Sequence, residues 1–347
     1  MDIPKYIGDV HPREYIKEMR VYCHFKQITN DDEILKFSKL MIDSTIDISS
    51  EKLEKIRSCE DLIEVLREHI TFAIFKNSTI RKLHLLKYQL ERDGGDTPKF
   101  IAKFRSLCRD AEIDEIDRRK HHLYYTLPND FFRNEFIKHY DDINSMNDLV
   151  ICFENTLNEY SRFILNGSVV ALKHVATGKY LCSNNTHYAT GSKNQVVFCG
   201  KYLRDSNSEW TIKCLQSPEF LPYDSIIYLQ HNNTNNFLEI CTDRHNLSPV
   251  SKSTEVSCGS NNNYSDYTWI LDRSKSGSQH AYLKTQDIIV LRNKYPDYLT
   301  NRQNDEVLGS KETVFTVGDD KNEYQEVYAH PKESVSEFDE WCIELIE

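Results

Sequence analysis

Along the first half of the chain, apolar residues recur every three to four positions, the spacing of a buried helix face. Pro12 suits a first helical turn, and Tyr15, Ile16, Met19, Tyr22 and Cys23 then share one face. Asn30 or Asp31 can cap the next helix, which carries Ile34, Leu35, Phe37, Leu40 and Met41. A third helix is expected after Ser58, bearing Leu62, Ile63, Leu66, Ile70 and Phe72. A fourth is expected from near Ser78, bearing Leu83, Leu86 and Leu90. The adjacent glycines Gly94-Gly95 mark the clearest break. After them Thr97-Pro98 reads as a cap plus first-turn proline for a face of Phe100, Ile101, Phe104, Leu107, Cys108 and Ala111. Leu127-Pro128-Asn129 stops the following helix. Ser145 and Asp148 then form a capping box ahead of Leu149, Phe153, Leu157 and Tyr160. The pattern predicts two short helical bundles, residues 1–93 and 94–165.

Near residue 168 the period changes to short β-branched and aromatic runs between Asn, Ser and Gly turns, the texture of strands. A motif of strand, polar turn and strand occurs three times. The copies are Val170 to Leu181, Ile227 to Leu238 and Ile289 to Leu299, with Tyr180-Leu181, Phe237-Leu238 and Tyr298-Leu299 entering the second strand of each. Each copy closes on a tryptophan: Trp210, Trp269 and Trp341, which are all the tryptophans of the chain. Their separations are 269−210=59 and 341−269=72, so the third copy holds an insertion. Three units of four strands each are too few for a propeller and predict a β-trefoil over residues 168–347. The expected fold class is therefore multi-domain α and β.

Two resemblances add to this reading. The segment from Gly94 to Cys108, with Ile101, Phe104, Leu107 and Ala111 at helical spacing, then Tyr125-Thr126-Leu127-Pro128 and the helix Ser145 to Leu157, resembles the capsid of gypsy-type retrotransposon Gag proteins. The resemblance covers about residues 1–163 and implies a capsid-derived assembly module. Gag proteins commonly continue into a CCHC knuckle and an aspartic protease, and neither motif is present here. The second half resembles the MIR domain, the β-trefoil shared by protein mannosyltransferases and by inositol trisphosphate and ryanodine receptors. Val170-Ala171-Leu172-Lys173-His174 with Thr177, Tyr180 and Leu181, and the Glu-Trp pairs at 209–210 and 340–341, carry it. That resemblance implies a module that binds ligands or neighbouring domains and performs no chemistry.

Charge narrows the partners. The chain carries a formal −11. Residues 1–166 hold 26 basic and 30 acidic side chains; the remainder holds 43−26=17 and 54−30=24. Neither half has the surplus that a phosphate backbone demands, which argues against nucleic acid. A Gag-remnant alternative would need a basic stripe from Arg81, Lys82, Lys87, Lys99, Lys103 and Arg105. No apolar run is long enough to span a bilayer and no leader pattern opens the chain, so a cytoplasmic protein is expected. Its ten cysteines, none spaced as a zinc motif, are expected to be thiols that mostly serve as small core residues.

The candidate binding residues are His174 and His231, at equivalent places in the first two copies, and Asn293 in the third. Imidazole there could meet a ligand, but hydrogen bonding to turn backbone is the stronger expectation. The tryptophans are expected inside the barrel rather than stacked on a sugar. His121-His122 falls in a charged helical stretch and is expected on a solvated face. No nucleotide-binding, hydrolase-elbow or metalloprotease motif occurs. The expectation is a non-enzymatic interaction protein with no cofactor or metal, self-associating through its helical half and recognising a protein or small ligand through its trefoil. A glycan-binding alternative requires an exposed aromatic beside Asp or Asn in a shallow pocket.

Overall fold

Caps and first-turn chemistry set the helices of the first half. The computed structural model describes residues 2–201, 206–216, 219–243, 245–260, 264–274, 281–297, 302–317 and 322–346. The helices are α1 (Pro12–Phe25), α2 (Asp31–Leu40), α3 (Ser50–Lys55), α4 (Cys59–Glu68), α5 (Ile70–Leu85), α6 (Thr97–Asp110), α7 (Ile116–Tyr124), α8 (Asp130–Lys138) and α9 (Met146–Ser161). Asn30 caps α2 by accepting the Asp32 N–H at 2.9 Å. Ser58 and Asp61 close a reciprocal capping box on α4.

Two boundaries differ from the expected ones. The apolar pattern from Leu62 to Phe72 spans two helices, because His69 turns extended and its ring Nδ1 accepts the Thr71 N–H, starting α5. That helix runs from Ile70, so no helix begins at Ser78, and Leu86 and Leu90 lie beyond its end. At α6 the cap is Asp96, accepting the Lys99 N–H at 2.8 Å, with Thr97 already inside the helix.

The chain divides into two compact units, Met1–Asn158 and Glu159–Glu347. The first has a core of Tyr15, Ile16, Met19, Leu62 and Leu66 from α1 and α4, with Ile34 and Leu35 from α2. Farther along, Tyr88, Phe100 and Phe153 form an aromatic trio with ring centres 5.0, 5.0 and 5.5 Å apart. Every apolar residue named for α6, from Phe100 to Ala111, is buried, so that face closes its own core rather than staying open for a partner. The second unit begins before the strands do: Ile164 donates to Leu283 O at 3.0 Å and Lys284 pairs with Glu159 at 2.9 Å.

Among the described residues the second unit has twelve strands: β1 (Val169–His174), β2 (Tyr180–His187), β3 (Gln195–Gly200), β4 (Trp210–Cys214), β5 (Ile226–His231), β6 (Phe237–Ile240), β7 (Thr254–Gly259), β8 (Trp269–Arg273), β9 (Ile288–Asp297), β10 (Arg302–Phe315), β11 (Tyr324–Pro331) and β12 (Trp341–Leu345). All pairings are antiparallel. β1 pairs with β4, β4 with β5, β5 with β8, β8 with β9, β9 with β12 and β12 with β1, a closed barrel without edges. Hairpins β2–β3, β6–β7 and β10–β11 join one another through β3–β7, β7–β11 and β11–β3 contacts and cap one end. Inward positions alternate along the strands, as in Trp210, Ile212 and Cys214 of β4. They fill a core with Leu172, Leu229, Leu291, Leu271 and Ile343.

The third first-hairpin is longer than its sequence motif suggests. β9 continues through Pro296 to Asp297, laddered to β10 from Arg302 onward. The residue placed like Leu181 and Leu238 is Leu308. Tyr298-Leu299 lies outside the described residues. No helix among the described residues is long and apolar enough to cross a membrane.

Candidate functional site

At the end of β1 the chain reverses through Val175–Lys179 into β2. Inside that turn His174 Nε2 lies 2.9 Å from Phe338 O, and Nδ1 lies 2.9 Å from Thr177 Oγ1. A carbonyl only accepts, so Nε2 carries the proton and Nδ1 accepts from the threonine hydroxyl. His231, at the end of β5, repeats this with Asn207 O at 3.1 Å and Thr234 Oγ1 at 2.9 Å. The two turns close alike, on a left-handed residue: Gly178 with φ 67° and Asn235 with φ 60°. Asn293 makes the third version, donating from Nδ2 to Asp266 O at 3.2 Å and Thr268 O at 2.8 Å. Phe338, Asn207 and Asp266 each stand three residues before a tryptophan.

Those tryptophans are fully buried. Their indole N–H groups donate to Leu308, Leu181 and Leu238 carbonyls at 3.0, 2.9 and 2.9 Å. His174, His231 and Asn293 are likewise 0% exposed. Burial pushes both imidazoles below the ordinary histidine range, which keeps them neutral. The three candidate binding residues are thus brought to equivalent places, where both histidine rings and the Asn293 amide nitrogen bond to the frame.

The strands also carry buried carboxylates that the sequence pattern did not single out. Glu239 of β6 is 2% exposed, with Oε1 accepting from Asn194 Nδ2 at 2.7 Å and Ser257 Oγ at 3.2 Å. Its Oε2 is buried with no hydrogen-bond partner among the described residues. Burial, reinforced by the charges of Asp266 and Glu255, pushes its carboxyl up to about 7. Gly259 is fixed by this packing, since a Cβ there would collide with the carboxylate. Glu255 of β7 is raised by burial, against a hydrogen bond from Ser192. Glu326 of β11 accepts the backbone N–H groups of Val250 at 2.7 Å and Ser251 at 3.0 Å. The available signal was a charged residue inside an apolar strand run, as in Phe237-Leu238-Glu239-Ile240.

Solvent reaches a recess of about 610 Å³ beside β8, β9 and the 3₁₀ turns Lys332–Ser334 and Glu337–Asp339. Its walls include Asp224, Asp272, Arg273, Lys332, Glu333 and Glu337. Asp272 is gripped by Arg292 at 2.5 and 2.8 Å and approached by Lys332 at 3.4 Å. Burial opposes its charge, and the Arg292 pair overcomes that and holds the carboxyl below its usual range. Arg273 lies 4.0 Å over the ring of Tyr223, whose hydroxyl donates to Asp287 at 2.8 Å. Among the described residues the lining offers charged hydrogen-bonding groups and no aromatic face, so it suits a polar or charged partner better than a stacked sugar. The basic positions Arg81, Lys82, Lys87, Lys99, Lys103 and Arg105 are all exposed. All ten cysteines are thiols, eight of them buried. Among the described residues no group of three His, Cys, Asp or Glu is placed to hold a metal.

No family model matches the chain. Dolichyl-phosphate-mannose–protein mannosyltransferase 1 of Candida albicans is 30% identical over 137 residues, 35% of this chain. The match spans 16% of that relative's length. Protein mannosyltransferases are the class named above for the resemblance of the second half. Among solved structures, the SDF2-like protein from Arabidopsis thaliana aligns with TM-score 0.43 and 24% identity over 53% of this chain and 99% of that one. A chain of the S. cerevisiae protein O-mannosyltransferase Pmt1-Pmt2 complex aligns with TM-score 0.42 and 16% identity over 96% of this chain and 44% of that one. The capsid resemblance of the first half gains no support from these comparisons.

Proposed function

We propose that this chain is a non-enzymatic recognition protein whose second unit is a MIR-type β-trefoil of three repeats, with the charged recess as its binding face. One observation carries the reading: the polar groups that recur from copy to copy are consumed inside the barrel, whereas the recess gathers charged side chains within reach of solvent, with Asp272 and Lys332 held by ion pairs. The helical half supplies self-association, in two lobes divided at Gly94-Gly95. Exposed Ile70, Ile74 and Leu85 of α5 are its apolar contact, since the α6 face is occupied. Ten thiols suit a reducing compartment such as the cytosol.

The test is a peptide-library and mannose-glycan screen of the full chain, repeated with Arg273→Glu and Lys332→Glu. Binding to a charged peptide that both variants lose while their tryptophan emission is unchanged supports the proposal. Binding indifferent to both substitutions sinks it. A second reading, recognition of mannosylated chains, rests on the mannosyltransferase relative and predicts that the glycan arm responds instead.

A further inference from the structure

His121 and His122 of α7 have no part in the proposed recognition face, yet the fold gives them a partner. The ring of His84, near the end of α5, lies 5.2 Å from that of His122, centre to centre, at an interplanar angle of 31°. The His121 ring stands 5.9 Å from His122 and 4.8 Å from Tyr125. With Leu83, Lys87 and Tyr125, these rings line a recess of about 300 Å³. His84 and His121 are exposed and His122 partly so, which leaves the recess open to solutes. In His174 and His231 both ring nitrogens are spent on hydrogen bonds. No hydrogen bond to another described residue engages the rings of His84, His121 or His122, so their nitrogens keep their coordinating capacity.

We propose that His84 and His122 form a binding site for a divalent cation that prefers imidazole, of the zinc, copper or nickel class. The spacing fits. A metal about 2.1 Å from a ring nitrogen sits about 3.3 Å from the ring centre, so two imidazoles at a tetrahedral angle have centres about 5 Å apart. The 5.2 Å between the ring centres matches that separation. Solvent fills the remaining positions, because no third His, Cys, Asp or Glu among the described residues completes a cluster. Adjacent helical residues point about 100° apart, which leaves His121 at the rim rather than in the coordination shell. The ion would tie α5 to α7 and stabilise the helical unit. Lys87, whose ammonium donates to Tyr125 O at 2.6 Å, places an opposing charge beside the site.

The experiment is calorimetric titration of the full chain with zinc chloride and with copper(II), using magnesium as the oxygen-preferring control. The other histidines and the thiols contribute a background, which the double variant His84→Ala/His122→Ala isolates. One site should vanish in that variant. Each single variant should weaken it by at least about ten-fold, since even outer-shell losses cost that much. His121→Ala should retain the site, and Lys87→Gln should strengthen it. Paramagnetic resonance of the copper form should show two coupled nitrogens in the parent and lose them in the double variant. Unchanged stoichiometry, affinity or nitrogen coupling in a double variant with parental circular dichroism would overturn the proposal, as would absence of zinc and copper binding in the parent.

Discussion

Glu239→Gln should make the barrel resist rising pH better than the parent does. The substitution keeps the shape and an acceptor for Asn194 and Ser257, and puts an amide where the buried Oε2 lies. What it removes is ionisation. The folded carboxyl titrates near 7, pushed up from 4.5 chiefly by burial. Between those values the folded state binds more protons than the unfolded one, so stability falls as pH rises through the window. The shift of 7−4.5=2.5 corresponds to about 3 kcal/mol. That penalty is absent below about pH 4.5 and complete above about pH 7. Urea unfolding of the full chain, followed by tryptophan emission, reads the barrel alone, because Trp210, Trp269 and Trp341 all lie in it. The variant should gain about 3 kcal/mol relative to the parent between pH 4.5 and 8. Other titrating groups cancel in that difference. A difference flat across the range would show that Glu239 is solvated or finds a cation, and would refute the argument.

Trp269→Ala should destabilise the barrel by about 3–5 kcal/mol in the same assay, since it empties a fully buried position and orphans Leu238 O; a parental melt would place the ring elsewhere. His174→Ala strips the partners of Phe338 O and Thr177 and should cost about 1–3 kcal/mol, whereas His174→Asn, the choice made at Asn293, should cost less. Equal losses would mean that the carbonyl bond contributes little. The acidic full chain should self-associate weakly and more strongly as salt screens its charge, read by light scattering over a concentration series. Ile74→Lys should abolish that; a chain monomeric at every salt level would remove assembly from the proposal.

What the sequence disclosed and what it hid separate along one physical line. The tryptophan positions were legible because a large ring with one N–H must be buried and satisfied, and each copy solves this with a carbonyl 29, 31 or 33 residues upstream. The His-x-x-Thr turns were legible because one partner of each ring, the threonine hydroxyl, lies three residues on. Where the controlling contact is distant, the local pattern misled. The polar run Asn293 to Asp297 reads as a turn, but it is strand, laddered to β10, and the carbonyl that receives Trp341 belongs to Leu308. The apolar run through Ile70 hid a break set by one histidine ring. The recess gathers Asp224, Asp272 and Lys332 from separate strands and turns, so no spacing could announce it. His84 and His122 are the same case, since only the packing of α5 and α7 makes a pair of them. Function in this chain is therefore to be sought where side chains far apart in sequence meet in solvent, because the residues repeated in each copy are already committed to holding the barrel closed.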